Sequence, residues 1–141
     1  MHLKLLTKEY IEAVADLYSE LFEYSVYSTM TTYDKKSVVK QLEESLDTSK
    51  EDVITILLVS DKNECVGALT AMRAPSLHNY SSLMAYELAF WIKPEFRNKT
   101  TVKQILNAYY FWARKTGCVS AFIGKIKERN GKEIQTMRKL T

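Results

Sequence analysis

Glycine and proline are scarce in this chain, with four glycines and two prolines in 141 residues. The glycines do not cluster, so there is neither a P-loop nor a dinucleotide-binding fingerprint, both of which need closely spaced glycines to bring bare backbone against phosphate. Cysteine and histidine are equally rare, two of each. Cys65 and Cys118 have no CxxC or Cys/His spacing, which excludes a disulfide framework and a zinc site of ordinary pattern. Two buried free thiols are expected instead, as suits a protein of the reducing cytoplasm. No metal ligand set stands out. No apolar run approaches the ~18 residues of a membrane helix, and "MHLKLLTKEY" is too weakly apolar for a signal peptide. The expectation is a soluble cytoplasmic protein with no membrane partner. The net charge is only +3, and no dense Lys/Arg stripe is interleaved with aromatics, so a nucleic-acid partner is not expected.

What is present is ordinary globular material, 46% apolar and 26% charged, without repeats or linkers. One domain over 1–141 is the natural reading. "HLKLL" starts as a strand, and Thr7 can cap the helix whose stripe is Ile11, Val14, Ala15, Leu17, Tyr18, Leu21 and Phe22. The Ser/Thr/Tyr-rich 24–33 reads as a loop. Asp34 can cap a second helix with its stripe on Val38, Val39, Leu42 and Leu46. "VITILLVS" (53–60), "CVGALTAMR" (65–73) and "LMAYELAFWI" (83–92) read as strands, the first two joined as a hairpin. A third helix carries Val102, Ile105, Leu106, Tyr109, Trp112 and Ala113, and Gly117 ends it. "VSAFIGKI" (119–126) is a further strand. Residues 129–141 look helical, with Ile134, Met137 and Leu140 on one side. The order is β-α-α-β-β-β-α-β-α, an α/β (α+β) arrangement.

Two stretches carry chemistry. Glu87 interrupts an apolar strand, and alternation puts it on one face with residues 85, 89 and 91. Burial there would raise its pKa and suit it to take a proton from an amine; a Glu paired to Lys or Arg is the plainer alternative. The junction "WIKPEFRNKTTVKQIL" (91–106) leads a strand into a helix, where amides and the helix dipole can bind an anion. It holds no glycine. Thr101 and Gln104 have capping-box spacing, which would satisfy the first amides internally, while Arg97, Lys99 and Lys103 keep the corner positive. His78, in the loop before the Glu87 strand, is a lone candidate base. Of the consecutive aromatics Tyr109 to Trp112, at least one should face solvent, which hints at self-association.

In register, "WIKPEFRNKTTV" resembles the strand-to-helix motif W-[VI]-x-P-x-[YF]-R-G-x-G-x-[GA] of the GNAT-type N-acetyltransferases through Trp91, Ile92, Pro94, Phe96 and Arg97. "FWARKTGC" matches the end of that family's following helix, and Asn130, Lys139 and Leu140 keep the spacing of its last helix. The resemblance implies a mixed, mostly antiparallel sheet flanked by helices. It implies acetyl-CoA as co-substrate, an amine of a small molecule or protein as acceptor, and Glu87 as catalytic base. Phe90, Trp91, Ile92, Arg97, Asn98, Lys99, Thr100, Thr101, Val102 and Asn130 would hold CoA. Tyr24, Tyr27 and Tyr33 would contact the acceptor.

The chain departs from the family pattern at Asn98, Thr100 and Val102, where small residues are usual, and at Met137, where a Tyr often serves as general acid. It ends at Thr141, lacking the last hairpin, so an open edge beside the fifth strand is expected, suited to a homo-oligomer or protein assembly. The resemblance also admits a non-catalytic binding or assembly protein, such as a phage virion component.

Overall fold

The computed structural model describes residues 1–46, 52–127 and 133–139. Strand β1 (His2–Leu5) leads through a 3-10 turn into α1 (Ile11–Tyr24), followed by a second 3-10 turn (Val26–Thr29) and α2 (Lys35–Glu44). Then come β2 (Val53–Val59), β3 (Cys65–Pro75), β4 (Leu83–Ile92), α3 (Lys99–Lys115), β5 (Cys118–Lys127) and β6 (Glu133–Lys139). The six strands form one sheet in chain order. All neighbours are antiparallel except β4 and β5. That exception follows from α3, because a parallel pair needs a crossover long enough to return the chain to the same edge.

The sheet is covered on both faces, which is why β2 reads as a continuous apolar run rather than an alternating one. On one face, Ile56 and Leu58 meet Ile105, Tyr109 and Ala113 of α3. On the other, Leu57 and Val59 meet Val14, Leu17 and Tyr18 of α1 and Leu42 of α2. Local signals work as expected in several places. The Asp34 side chain accepts from the Ser37 amide at 3.3 Å. Gly117, with φ of 89°, follows the C-cap of α3. Both cysteines are free and buried.

Three local expectations are overturned. The segment expected to be a final helix instead forms β6 over Glu133–Lys139, paired with β5 from Ser120↔Lys139 to Lys127↔Glu133. The edge of β5 presents a row of unpaired backbone groups that a helix cannot satisfy and a strand can, and that tertiary demand outweighs a helical spacing of three apolar residues. The expected open edge beside β5 is therefore covered, and no separate closing hairpin follows β6 among the described residues.

The capping box at the start of α3 also differs from the expected one. It joins Asn98 and Thr101, not Thr101 and Gln104, because the helix begins three residues earlier than that pairing requires. Alternation along β4 breaks at a bulge. Thr70 faces Ala89 while Ala71 faces Glu87, so Leu88 is the extra residue. Ala85 consequently lies on the α3 face, whereas Ala89 and Trp91 lie on the α1/α2 face. The four residues expected on one face are divided between two.

Candidate functional site

Strands β4 and β5 pair only from Leu83↔Cys118 to Tyr86↔Phe122. The rings of Tyr86 and Phe122 stack 5.1 Å apart at the last rung. Beyond it the ladder stops although both strands continue, and each is irregular there: β4 bulges at Leu88, and β5 shifts register between Ile123 and Ile126. The result is a cleft that opens in the middle of the sheet, with backbone on both sides and Glu87 at its apex.

The carboxyl of Glu87 spans this opening and accepts a hydrogen bond from the Gly124 amide at 3.2 Å. Among the described residues no Lys or Arg pairs with it. Burial without a cation disfavours the charged form and pushes its pKa from an ordinary 4.5 up to about 7, while the Gly124 amide pulls modestly the other way. Position 124 must itself be small. A Cβ built there would lie 2.7 Å from Glu87 Oε2. Glycine in a strand interior signals a close approach of this kind, so the sequence did contain a clue to Gly124.

From Glu87 a cavity of about 790 Å³ extends between α1, α2 and the sheet. Tyr27 and Tyr33 line it, together with Phe90 and Leu88. Tyr24 is not in its lining; its ring packs against Trp91 at 5.6 Å. Five residues that spacing assigns to the helix stripes also reach this wall: Tyr18, Leu21, Phe22, Val38 and Leu42. Tyr18 shares a 2.6 Å hydrogen bond with Thr70, whose hydroxyl meets Thr55 at 2.9 Å. Burial raises the Tyr18 pKa far above its ordinary value, so this phenol stays protonated. His78 is exposed in the 76–82 loop and outside the cavity lining.

The junction after β4 is tied down by its own side chains. The Arg97 guanidinium lies 4.5 Å from the centre of the Trp91 ring and donates to the Ile92 carbonyl at 2.8 Å. Trp91 in turn donates from Nε1 to Glu20 at 3.0 Å. Asn98 Oδ1 accepts from the Thr101 amide at 3.0 Å, and the Asn98 amide donates to Thr101 Oγ1 at 3.1 Å. Thr101 Oγ1 also donates to the Phe96 carbonyl at 2.8 Å.

The Val102 amide is taken by the Asn98 carbonyl, and the Val102 side chain packs against the α3-side core. At the start of α3 the amides of Lys99 and Thr100 have no acceptor among the described residues, and both residues are exposed at the positive end of a 17-residue helix. The turn needs no glycine for its backbone, since among the described residues positive φ occurs only at Asn63 and Gly117. Asn130 lies outside the described residues.

Two unspent amides at a helix start, flanked by Arg97, Lys99 and Lys103, fit a phosphate-bearing group. Among the described residues no group of His, Cys, Asp and Glu could hold a metal, and no helix is long and apolar enough to cross a membrane.

The chain belongs to the Acetyltransferase (GNAT) family, whose sequence model matches residues 11–140. Solved structures share the fold. A probable acetyltransferase superposes with a TM-score of 0.67 at 18% identity, over 84% of this chain and 75% of that one. The aminoglycoside 6'-N-acetyltransferase AAC(6')-Ig of Acinetobacter haemolyticus gives 0.68 at 14% identity, over 86% and 77%. AAC(6')-Iy, solved with the bisubstrate analogue CoA-S-monomethyl-acetylneamine, gives 0.66 at 18% identity, over 83% and 74%. No curated protein matches the sequence. Neither the fold nor these relatives supports a virion role.

Proposed function

We propose that this protein is an acetyl-CoA-dependent N-acetyltransferase in which an amine attacks the thioester directly, with Glu87 as general base. The observation that carries this reading is a carboxyl held by the Gly124 amide where β4 and β5 part, facing the cavity with no cation beside it among the described residues, so that burial pushes its pKa up to about 7. A base poised near neutral pH is half deprotonated where it works, yet strong enough to accept a proton from a bound ammonium.

The residues divide the task. Lys99 and Thr100 would bind the pyrophosphate with their amides, assisted by the charges of Arg97 and Lys103. Backbone groups of β4 beyond Tyr86, freed from the ladder with β5, would line the acyl arm and supply donors for the carbonyl oxygen. Acetyl-CoA, when bound, supplies the activated acyl carbon. Glu87 takes one proton from the ammonium, directly or through a water. The freed nitrogen forms the new C–N bond, the C–S bond breaks, and the nitrogen's surplus proton leaves with the thiolate or to solvent. Met137 offers no acidic proton to the thiolate, which takes its proton from that nitrogen or from solvent.

The reading is tested by thermal unfolding with and without acetyl-CoA. At ~100 times its dissociation constant the ligand should stabilise the fold by about 2.7 kcal/mol. Thiol release in the presence of an amine should accompany that shift. Absence of any shift at millimolar acetyl-CoA would overturn the proposal.

A further inference from the structure

We infer that the acceptor is an amine carried on an apolar, aromatic body, selected by the chamber between α1, α2 and the sheet. This rests on the acetyl-transfer reading of Glu87 and extends it to substrate class. The walls are mostly hydrocarbon and ring: Leu21, Phe22, Val38, Leu42 and Phe90 line the space with the ring of Tyr33. Phe22 and Tyr33 pack with their centroids 5.5 Å apart, so together they form one continuous aromatic surface.

The polar atoms of that wall are largely spent on the protein itself. The Tyr33 hydroxyl donates to the Ala15 carbonyl, and the Tyr18 hydroxyl is paired with Thr70. A polyhydroxylated acceptor such as an aminoglycoside needs a partner for each hydroxyl it buries, and a wall with few free groups cannot supply them. The acidic groups also point one way. Glu87 stands at the inner end and Glu44 at the exposed end of α2, while the described lining contains no Lys, Arg or His. A cationic amine is drawn to two carboxylates, and an acidic substrate is repelled. About 790 Å³ is ample for one aromatic ring system on a short alkyl arm.

The experiment compares kcat/KM at saturating acetyl-CoA for 2-phenylethylamine and tryptamine with ethylamine, kanamycin, a lysine-containing peptide and glutamate. The aryl amines should exceed ethylamine by about 10- to 100-fold, the value of burying one ring, and should exceed kanamycin, the peptide and glutamate by more. Tyr27 is 59% exposed, so Tyr27→Ala spares the core; it should raise the KM for tryptamine more than that for ethylamine. Equal use of ethylamine and tryptamine, or preference for kanamycin, the peptide or glutamate, overturns the inference. So does acetyl-CoA binding by thermal shift with no aryl amine acetylated; in these cases the acetyl-CoA reading survives. Failure to bind acetyl-CoA removes both.

Discussion

At Glu87 three separate constraints meet on one side chain. Strand β4 places it at a bulge, β5 supplies the Gly124 amide, and burial without a cation keeps its proton affinity high. Replacing the carboxylate by an amide of the same shape, Glu87→Gln, should lower kcat by at least about 100-fold, the scale of general-base catalysis. The acetyl-CoA thermal shift should persist, and unchanged turnover would remove Glu87 from the base role. In the wild type, kcat/KM should fall as pH drops below about 7, because the base must be unprotonated to act.

Gly124 tests the same geometry from the opposite strand. The methyl of Gly124→Ala would come within 2.7 Å of Glu87 Oε2 and displace the carboxyl. Misplacement of a catalytic group by ångströms costs up to about 100-fold. With the amide bond to the charged form weakened, the acid limb of the pH profile should also move upward. A variant that loses kcat with an unmoved pH profile would count against a positioning role for Gly124.

Among the elements, α3 carries the clearest question, because its start has no glycine and still leaves two amides unspent. Backbone and side chain can be separated at Lys99. Lys99→Ala removes one charge. Lys99→Pro removes the charge and the amide together, at a helix position where proline is tolerated. Asn98 is extended, with φ −150° and ψ 174°, so it accepts a following proline. If the amide binds pyrophosphate, acetyl-CoA affinity should be at least about tenfold weaker in the proline variant than in the alanine variant, as for a lost hydrogen bond to a charged group. Calorimetric titration would read it, and equal affinities would put the anion elsewhere. The Asn98–Thr101 box is the structural counterpart: Asn98→Ala should cost about 1 kcal/mol of stability in denaturant unfolding.

For the whole molecule, the site is a burden on the fold. The folded state binds the Glu87 proton more tightly than the unfolded chain does, since the pKa rises from 4.5 to about 7. Between those values the folded state holds more protons than the unfolded one, so this group's contribution to stability falls as pH rises and levels off above about 7. Glu87→Gln has no such titration. Its stability relative to wild type should therefore increase from pH 4.5 to about 7 and then stay constant. A constant difference across that window would mean the carboxyl is better solvated than its surroundings suggest. The two apolar layers flanking the sheet make this burden tolerable, because each face of the sheet is anchored by its own buried cluster.

Local chemistry in the sequence was enough for β1 through β5, the three helices, the Asp34 cap, the turn at Gly117 and the strand-to-helix corner at Trp91 to Arg97. Each of these depends on near neighbours: apolar spacing, a capping oxygen, a residue free to take positive φ. Pairing across the sheet decided the rest. Residues 133–139 became a strand because β5 offered an edge, the bulge at Leu88 split a face that alternation had kept whole, and Gly124 met Glu87 from 37 positions away. Val102, an apparent obstruction in the phosphate corner, turned into the core once the helix phase was set by Asn98. Side-chain periodicity says which residues want to be buried; only the register between strands says which of them meet.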